Sequence, residues 1–348
     1  GFNLTSFANN HCFDFAATGF LETLKNVKAS SLVSAGCGYS LKEASEPAYL
    51  ETKSGKVGFI ACAANFTNPA IIAGDGANGF PSRPGCNPMR PIEYVEVTPE
   101  EFDTITDILE RSGINNPLKI SRSEGFSPEE KEGEYTVHLS KYFKFVRGKE
   151  TAFRSVVNPK DMQRMIGSIQ QSKKNADITL VSIHAHFPKT TKEVPADFLI
   201  EFAHNCIDNG ADAVIGHGPH QLRGIEIYKG RPIFYSLGNF ILQEELSAAA
   251  PAELYERYGG TPDMSTKEIF DIRSEHGKKG LAYNPIMNES VVATFDISDG
   301  VLKSVDLLPI DMGCGIEERE GLPAPCFDHG ILENLKRMSA VYGTEISI

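Results

Sequence analysis

The sequence DITLVSIHAH occupies residues 177–186, where an apolar run ends in two imidazoles. An apolar run of this length, rich in β-branched residues, predicts a buried strand. Residues i and i+2 of an extended segment face the same way, so His184 and His186 are expected to point at one ion. A single histidine at a strand end is usually only a hydrogen-bonded polar group, whereas a pair at this spacing favours a ligand role.

Strands and helices alternate on either side of this run. Other strand-like runs lie at residues 3–8, 56–63 and 213–215, and helical periodicity occurs at residues 18–27, 99–111, 161–174 and 195–209. Strands separated by helices favour βαβ units and a layered α/β fold. After Gly210 short strands follow at residues 224–228, 232–237, 289–296 and 301–308, joined by turns such as Lys229-Gly230 and Asp299-Gly300. They predict hairpins that complete a second sheet.

Two segments interrupt the alternation. Residues 121–150 are rich in Glu, Lys and Gly, and residues 246–279 are rich in charge, Pro and Gly. We expect both to be surface insertions that could cap a site, within one domain over residues 1–348. The chain opens directly into the strand at residues 3–8, which suggests that its natural beginning, with any targeting segment, has been lost.

Charge and cysteine usage narrow the partners and the compartment. With 34 basic and 46 acidic residues, net −12, the chain lacks the basic face that a nucleic-acid partner demands, although an anionic substrate held by a metal is not excluded. Seven cysteines without a C-x-x-C pair predict neither a zinc knuckle nor a disulfide framework. No stretch approaches the roughly 20 apolar residues of a membrane span. We therefore expect a cytoplasmic chain without a transmembrane segment, or an extracellular membrane-anchored one if the lost beginning carried a signal or an anchor.

Polar residues also follow the first predicted strand. Asn9, Asn10 and His11 lie between that strand and the helix predicted at residues 18–27, a position where ligands bind in open α/β sheets. An asparagine carbonyl is a hard oxygen ligand, and a neighbouring histidine can ligate a metal or move a proton. A polar turn that caps the helix explains the same residues equally well.

A third cluster, Gly216-His217-Gly218-Pro219-His220, follows the strand at residues 213–215. Glycine allows close approach of the backbone and proline stiffens the turn, so the two imidazoles can be fixed at one site. Several strand ends thus supply histidines to the same edge of the sheet. This convergence predicts metal binding.

Together these clusters and Tyr235-Ser236-Leu237-Gly238-Asn239-Phe240 resemble the CapA (poly-γ-glutamate capsule biosynthesis protein) family, a branch of the calcineurin-like metallophosphoesterase superfamily. The resemblance runs from Gly1 to the tail at residues 332–346, where residues 338–344 resemble the closing helix of the family. Residues 82–90, with the sequence SRPGCNPMR, resemble a motif of one subgroup.

The resemblance implies a four-layer α/β/β/α metallophosphoesterase-like sandwich, here without its N-terminal elements. It also implies one or two divalent metal ions per chain, of Mn, Fe, Zn or Ca, and a general acid or transition-state stabiliser at His11. The implied metal ligands are Asn10, His184, His217 and His220, with His186 as a further ligand found only in the subgroup.

Two departures from the family pattern affect this site. The acidic segment that supplies ligands for the first metal would lie before Gly1. Phe187 stands where the subgroup often has an acidic residue. The chain is therefore expected to hold one metal tightly and a second poorly or not at all.

Other polar residues have two interpretations each. Arg83 and Arg90 are candidates to clamp a substrate carboxylate or phosphate, or they are solvated arginines of turns. Asp14 either orients His11 as a supporting carboxylate or caps the following helix. Arg223 and Glu226 are expected to form no more than a surface ion pair, worth under about 1 kcal/mol.

Three functions follow as hypotheses. The first is a CapA-like metal-dependent hydrolase that acts in poly-γ-glutamate or capsule metabolism, or on a phosphoester. The second is a non-catalytic capsule-assembly or polymer-binding protein, and the third is a metal-dependent peptide epimerase. The expected partner is a small-molecule, peptide or poly-γ-glutamate substrate, because fold and motif do not fix its identity.

Overall fold

The computed structural model describes residues 1–66, 68–138, 142–243, 249–298, 300–327 and 329–348, and the fold is mixed α/β. In this part of the chain the strands are β1 (Leu4–Ser6), β2 (Val33–Ala35), β3 (Cys37–Gly38), β4 (Ala48–Thr52), β5 (Gly55–Ala63), β6 (Gly85–Cys86), β7 (Ile92–Val97), β8 (Glu134–His138), β9 (Tyr142–Arg147), β10 (Ala152–Val156), β11 (Ile178–His184), β12 (Ala213–His217), β13 (Leu222–Tyr228), β14 (Arg231–Leu237), β15 (Glu289–Ser298), β16 (Val301–Asp311) and β17 (Ala324–Pro325). The α-helices are α1 (Ala16–Ala29), α2 (Leu41–Ser45), α3 (Pro99–Ser112), α4 (Asn116–Ser123), α5 (Pro159–Asn175), α6 (Asp197–Asp208), α7 (Ala252–Tyr258), α8 (Thr266–Arg273) and α9 (Gly330–Ala340).

The largest sheet has six strands in the order β13-β14-β12-β11-β5-β4. Strands β5, β11, β12 and β14 run parallel, and β4 and β13 pair antiparallel at the edges. The strands predicted at residues 56–63, 177–183 and 213–215 are confirmed as β5, β11 and β12. Because parallel strands bring their carboxyl ends to one edge, the histidines that end β11 and β12 lie next to each other.

Helices α5 and α6 pack against this sheet and build the main core. The side chain of Asn158 caps α5 by accepting from backbone amides, and Pro159 occupies the first turn, where no amide hydrogen is needed. The buried face of α5 includes Ile169, which shares one apolar cluster with Val181 of β11 and Phe202 of α6. This cluster packs both helices against the strand that carries His184.

The prediction that the hairpin of residues 224–228 and 232–237 completes a second sheet is wrong. Strand β14 pairs parallel with β12, with Val214 opposite Ile233, so this hairpin extends the central sheet. The physical reason is that β14 is buried along almost its whole length, as a strand inside a large sheet must be. Strands β15 and β16 do form a separate sheet with β17, whereas Asp299 of their predicted turn lies outside the described residues.

The predicted insertions contain regular structure. Residues 121–150 contribute β8 and β9 to a four-stranded sheet of order β10-β7-β9-β8, and residues 139–141 lie outside the described part of the chain. Residues 246–279 contain α7 and α8, and residues 246–248 are likewise outside it. The closing helix, α9, ends at Ala340, so residues 341–344 lie beyond it. Among the helices that the structure describes, none has the length and apolarity to cross a lipid bilayer.

Truncation of the core under the site is expected to destabilise the whole fold. Ile169→Ala should lower the free energy of unfolding by about 2–5 kcal/mol, because it leaves a cavity at a fully buried position. Ile108→Ala, at a side chain that is 53% exposed on α3, is the matched control and should cost about 0.5 kcal/mol or less. Urea unfolding followed by circular dichroism measures both, and equal losses would show that α5 is not part of the cooperative core.

Candidate functional site

Four histidine side chains meet at the carboxyl edge of the central sheet. His184 ends β11 and His217 ends β12, and their Cα atoms are partners across the parallel pair. Their Nδ1 atoms are 3.0 Å apart, and the Nε2 atoms of His184 and His186 are also 3.0 Å apart. The ring centroid of His220 lies 5.5 Å from that of His186. We call this row, in the order His217, His184, His186 and His220, the imidazole chain.

Polar neighbours fix the first part of the imidazole chain. The hydroxyl oxygen of Ser182 lies 3.0 Å from Nε2 of His217. The side-chain oxygen of Asn65 accepts from the backbone amide of His186 at 2.6 Å. Sequence reasoning missed Asn65, although it follows the carboxyl end of β5 as the histidines follow β11 and β12.

The loop from β12 to β13 holds His220 in an unusual backbone conformation. Its φ of 59° lies in the left-handed region, which residues other than glycine seldom adopt. Asn239 stabilises the ring, because its Oδ1 lies 2.9 Å from Nδ1 of His220 and its Nδ2 donates to the carbonyl oxygen of Met287 at 2.9 Å. A Cβ at Gly218 would lie 3.1 Å from the backbone of Ala185, so glycine permits this close approach. The loop therefore packs closely against the backbone at the end of β11.

Arg223 contacts the backbone of the imidazole chain at His186. The expectation that it forms a surface ion pair with Glu226 is wrong. The guanidinium is fully buried and donates to the carbonyl oxygens of Lys192 at 2.8 Å and His186 at 3.2 Å. Glu226 is buried as well and pairs with His204, 2.9 Å away. Arg223 and Glu226 therefore contact different neighbours. Arg223 positions the segment after β11.

The environment keeps three of these imidazoles neutral. Burial, together with the neighbouring rings of His217 and His186, lowers the pKa of His184 to about 2. Burial and the nearby His220 and His11 lower the pKa of His186 to about 4. Burial likewise lowers the pKa of His217 to about 4. Neutral rings carry the lone pairs that a metal ion requires.

The N-terminal loop carries the predicted catalytic pair. Nδ1 of His11 is 2.7 Å from Oδ2 of Asp14, and Asn9 accepts the backbone amide of His11 on Oδ1 at 2.8 Å. Helix α1 begins after Phe15 without a side-chain cap, so Asp14 contacts His11 and does not cap the helix. The Oδ1 atom of Asn10 is buried in this loop.

The two predicted substrate-binding arginines have contacts within the protein. Arg83 donates from Nε to the carbonyl oxygen of Ile72 at 2.7 Å. Arg90 donates to both carboxylate oxygens of the buried Asp161, at 2.8 and 2.7 Å, and this ion pair anchors its loop to α5. Their role towards a substrate stays a prediction.

A group of three thiols lies beside the N-terminal loop, and sequence spacing did not indicate it. The Sγ atom of Cys86 is 2.9 Å from that of Cys12 and 3.2 Å from that of Cys37. Hydrogen bonds from Cys37 and Cys86 lower the pKa of Cys12 to about 4. Burial raises the pKa of Cys37, and the hydrogen bond to Cys12 raises that of Cys86. We call Cys12, Cys37 and Cys86 the thiol cluster.

The two donor sets differ in geometry. Within the described ranges, the thiol cluster is the only group of three or more His, Cys, Asp or Glu side chains whose ligand atoms all lie within 4.8 Å of one another. The imidazole chain is a row instead, because His184 turns one ring nitrogen to each neighbour. A row of neutral imidazoles can bind a cation between adjacent rings or pass a proton along its length.

Comparison with known proteins identifies the class. The model of the family described as bacterial capsule synthesis protein PGA_cap matches residues 1–244, and the chain belongs to this family. The predicted resemblance to CapA proteins is thereby confirmed.

Individual relatives extend the match to the whole chain. The chain is 35% identical to "Uncharacterized protein y4sH" of Sinorhizobium fredii (strain NBRC 101917 / NGR234) over 359 aligned positions, which cover 100% of this chain and 75% of the relative. It is 41% identical to "PGA biosynthesis protein CapA" of Bacillus subtilis (strain 168) over 88 residues, 25% of this chain and 23% of that protein. It is 25% identical to "Capsule biosynthesis protein CapA" of Bacillus anthracis over 244 residues, 70% of this chain and 41% of that protein.

The lowered pKa values predict how stability depends on pH in metal-free protein. Since the rings stay neutral in the fold and are protonated in the unfolded chain below about pH 6.5, stability should fall as pH drops from about 6.5 towards 4. Each such ring adds a slope of about 1.4 kcal/mol per pH unit. His217→Asn should make the slope shallower by that amount, whereas Phe187→Leu, a neighbour that does not titrate, should not. Urea unfolding of chelator-treated protein at several pH values tests this, and identical slopes would refute it.

Proposed function

We propose that this chain is a CapA-like, metal-dependent hydrolase whose substrate is a γ-glutamyl polymer or peptide. The observation that carries the proposal is the imidazole chain, in which rings from two adjacent strand ends bring their nitrogens to within 3.0 Å of one another, together with the His-Asp pair on the N-terminal loop. Several imidazoles with lowered pKa values, concentrated at one sheet edge, are typical of an active site.

The facing nitrogens of His184 and His186 suit a shared divalent cation. Two nitrogens bound side by side to one ion at about 2.1 Å lie roughly 3 Å apart, close to the 3.0 Å between Nε2 of His184 and Nε2 of His186. Following the family resemblance, we propose Asn10, His217 and His220 as further ligands of one ion or of two. His217 lies against the other ring nitrogen of His184, so it would share this ion only after a ring turns. Nitrogen and amide-oxygen donors suit Mn, Fe or Zn, and the amide oxygen also suits Ca.

The chain's own residues would handle the protons and orient the substrate. A bound cation would polarise the carbonyl or phosphoryl oxygen under attack. Because Asp14 holds Nδ1 of His11, the proton that His11 gives to a leaving group is carried on Nε2. Arg223 keeps the backbone at His186 in place, so this ring cannot drift from the reacting atoms.

The γ-glutamyl class of substrate is supported by the names and by charge. Two relatives are named for capsule or PGA biosynthesis, and a γ-glutamyl polymer carries one carboxylate per residue. Lys192 is exposed, and its positive charge adds to the burial and the neighbouring histidines that lower the pKa of His186. This charge would attract an anionic polymer to an otherwise acidic protein.

We also propose for this protein the four-layer metallophosphoesterase arrangement and the single domain over residues 1–348.

A second candidate is a polymer-binding protein of capsule assembly without catalysis. The observation that favours it is the row-like donor set: in the part of the chain that the structure describes, the imidazoles do not form a group of three ligand atoms within 4.8 Å. Polymer binding that survives both chelation and His11→Ala would support this candidate over the hydrolase.

Metal binding should depend on the imidazole chain. Mn²⁺ is the probe of choice, because thiolates bind this hard cation poorly and the thiol cluster will not contribute. We expect near-stoichiometric Mn²⁺ binding, weakened at least about 100-fold by His184→Ala/His217→Ala. The control is His204→Gln, which changes a histidine that pairs with Glu226 and is not part of the imidazole chain. This variant should bind Mn²⁺ as the wild type does. The loss of the free-ion paramagnetic resonance signal measures binding, and equal affinities would refute the assignment.

Turnover should depend on the N-terminal pair. With Mn²⁺-loaded protein and a γ-glutamyl oligomer, His11→Gln should lower kcat about 10²- to 10⁴-fold and Asp14→Asn about 10- to 100-fold. His276→Gln is the matched control, since His276 forms the same kind of exposed pair with Asp271 at 2.6 Å. The assay is release of new α-amino groups.

Each other outcome identifies a different function. No cleavage of γ-glutamyl or phosphoester substrates by metal-loaded protein would exclude the hydrolase. Uptake of solvent deuterium into an uncleaved peptide would indicate an epimerase instead. Equal kcat values for wild type and His11→Gln would remove His11 from the reaction even if cleavage occurs.

A further inference from the structure

The thiol cluster is assembled from three distant parts of the chain. Strands β3 and β6 pair antiparallel, and their register sets Cys37 opposite Cys86. Cys12 arrives from the loop after β1, and its Sγ lies 2.9 Å from that of Cys86. Three separate segments of the chain thus bring three sulfur atoms together.

The surroundings of the thiol cluster supply one further donor. The backbone carbonyl oxygen of Asn9 lies 3.0 Å from Sγ of Cys12 and 4.0 Å from Sγ of Cys86. Cys86 is fully buried, and Cys12 and Cys37 are half-buried in the same apolar cluster as Ala8. Three sulfurs and one oxygen make four donors, the number that tetrahedral coordination of a cation requires.

We propose that Cys12, Cys37 and Cys86 bind a soft divalent cation, Zn²⁺, with the carbonyl oxygen of Asn9 as the fourth donor. Sulfurs that bind one Zn²⁺ at about 2.3 Å lie about 3.8 Å apart, so the sulfurs of the cluster need to separate by less than about 1 Å. A disulfide would engage two of the three thiols and leave the third unused, whereas a cation engages all three.

The Zn²⁺ site would position the N-terminal loop. Asn9 contributes its carbonyl oxygen to the site, and through Oδ1 it also accepts the backbone amide of His11. Cys12 follows His11 directly in the sequence. The cation therefore ties both sides of His11 to the β3–β6 pair and acts as a structural site, distinct from the imidazole chain.

Cobalt substitution tests this proposal, because Co²⁺ bound by thiolates has an intense near-ultraviolet charge-transfer absorption that imidazole ligation lacks. The full chain, reduced and freed of metal, is titrated with Co²⁺ and then with Zn²⁺. We expect one equivalent of Co²⁺ to generate the absorption and Zn²⁺ to abolish it. The absorption should be lost in Cys37→Ser and in Cys86→Ser.

Two controls separate this site from the others. Cys206→Ser removes a thiol that is buried in the core away from the cluster and should keep the absorption. His184→Ala/His217→Ala should keep it as well, so failure of the imidazole site would leave this result unchanged. Absence of the absorption in the reduced wild-type protein, which needs no variant to fold, overturns the proposal. So does a count of five free thiols out of seven in denatured, unreduced protein, which would show a disulfide.

Discussion

The register of three parallel strands is the constraint on which the site depends. Strand β11 pairs with β5 on one side and β12 on the other, and His184 lies level with Ala63 and His217. A slip of one residue in either pair would turn the ring to the opposite face of the sheet. The apolar stretch before His184 prevents such a slip, because its buried residues pack against α5 and α6. Packing in the core thereby fixes the distance between ring nitrogens at the edge.

Burial of polar groups at this edge has a cost that the fold offsets with specific partners. An arginine without solvent is unfavourable unless its donors are bonded. Nε and Nη2 of Arg223 donate to three carbonyl oxygens, those of His186, Phe187 and Lys192, and its Nη1 has no partner among the described residues. The buried rings avoid charge by losing affinity for protons. The hydrogen bonds of Arg223 tie the segment after β11 to β13, and a site of fixed geometry requires such support.

Local sequence signals predicted the elements and their chemistry, but not the partners between distant segments. An apolar run that ends in histidines is a local pattern, so the sequence alone predicts β11, β12 and the four imidazoles that follow them. The ion pair of Arg90 with Asp161 and the meeting of Cys12 with Cys86 join residues that are 71 and 74 positions apart. Such contacts depend on how sheets and loops pack, which periodicity does not encode. The hairpin β13–β14 was misassigned for the same reason, because membership of a sheet is a tertiary property.

The two donor sets would sort metals by chemical softness. Imidazole and amide donors accept Mn, Fe or Zn, while three thiolates strongly favour Zn²⁺ over harder ions. A single loop connects the sets, since Asn9 contacts the thiol cluster and the charge of His11 is among the causes that lower the pKa of His184. If the thiols hold Zn²⁺, the loop is rigid before any catalytic ion arrives, and His11 is oriented without using binding energy from the substrate. Separate sites for structure and for reaction would then allow the catalytic metal to exchange while the loop stays in place.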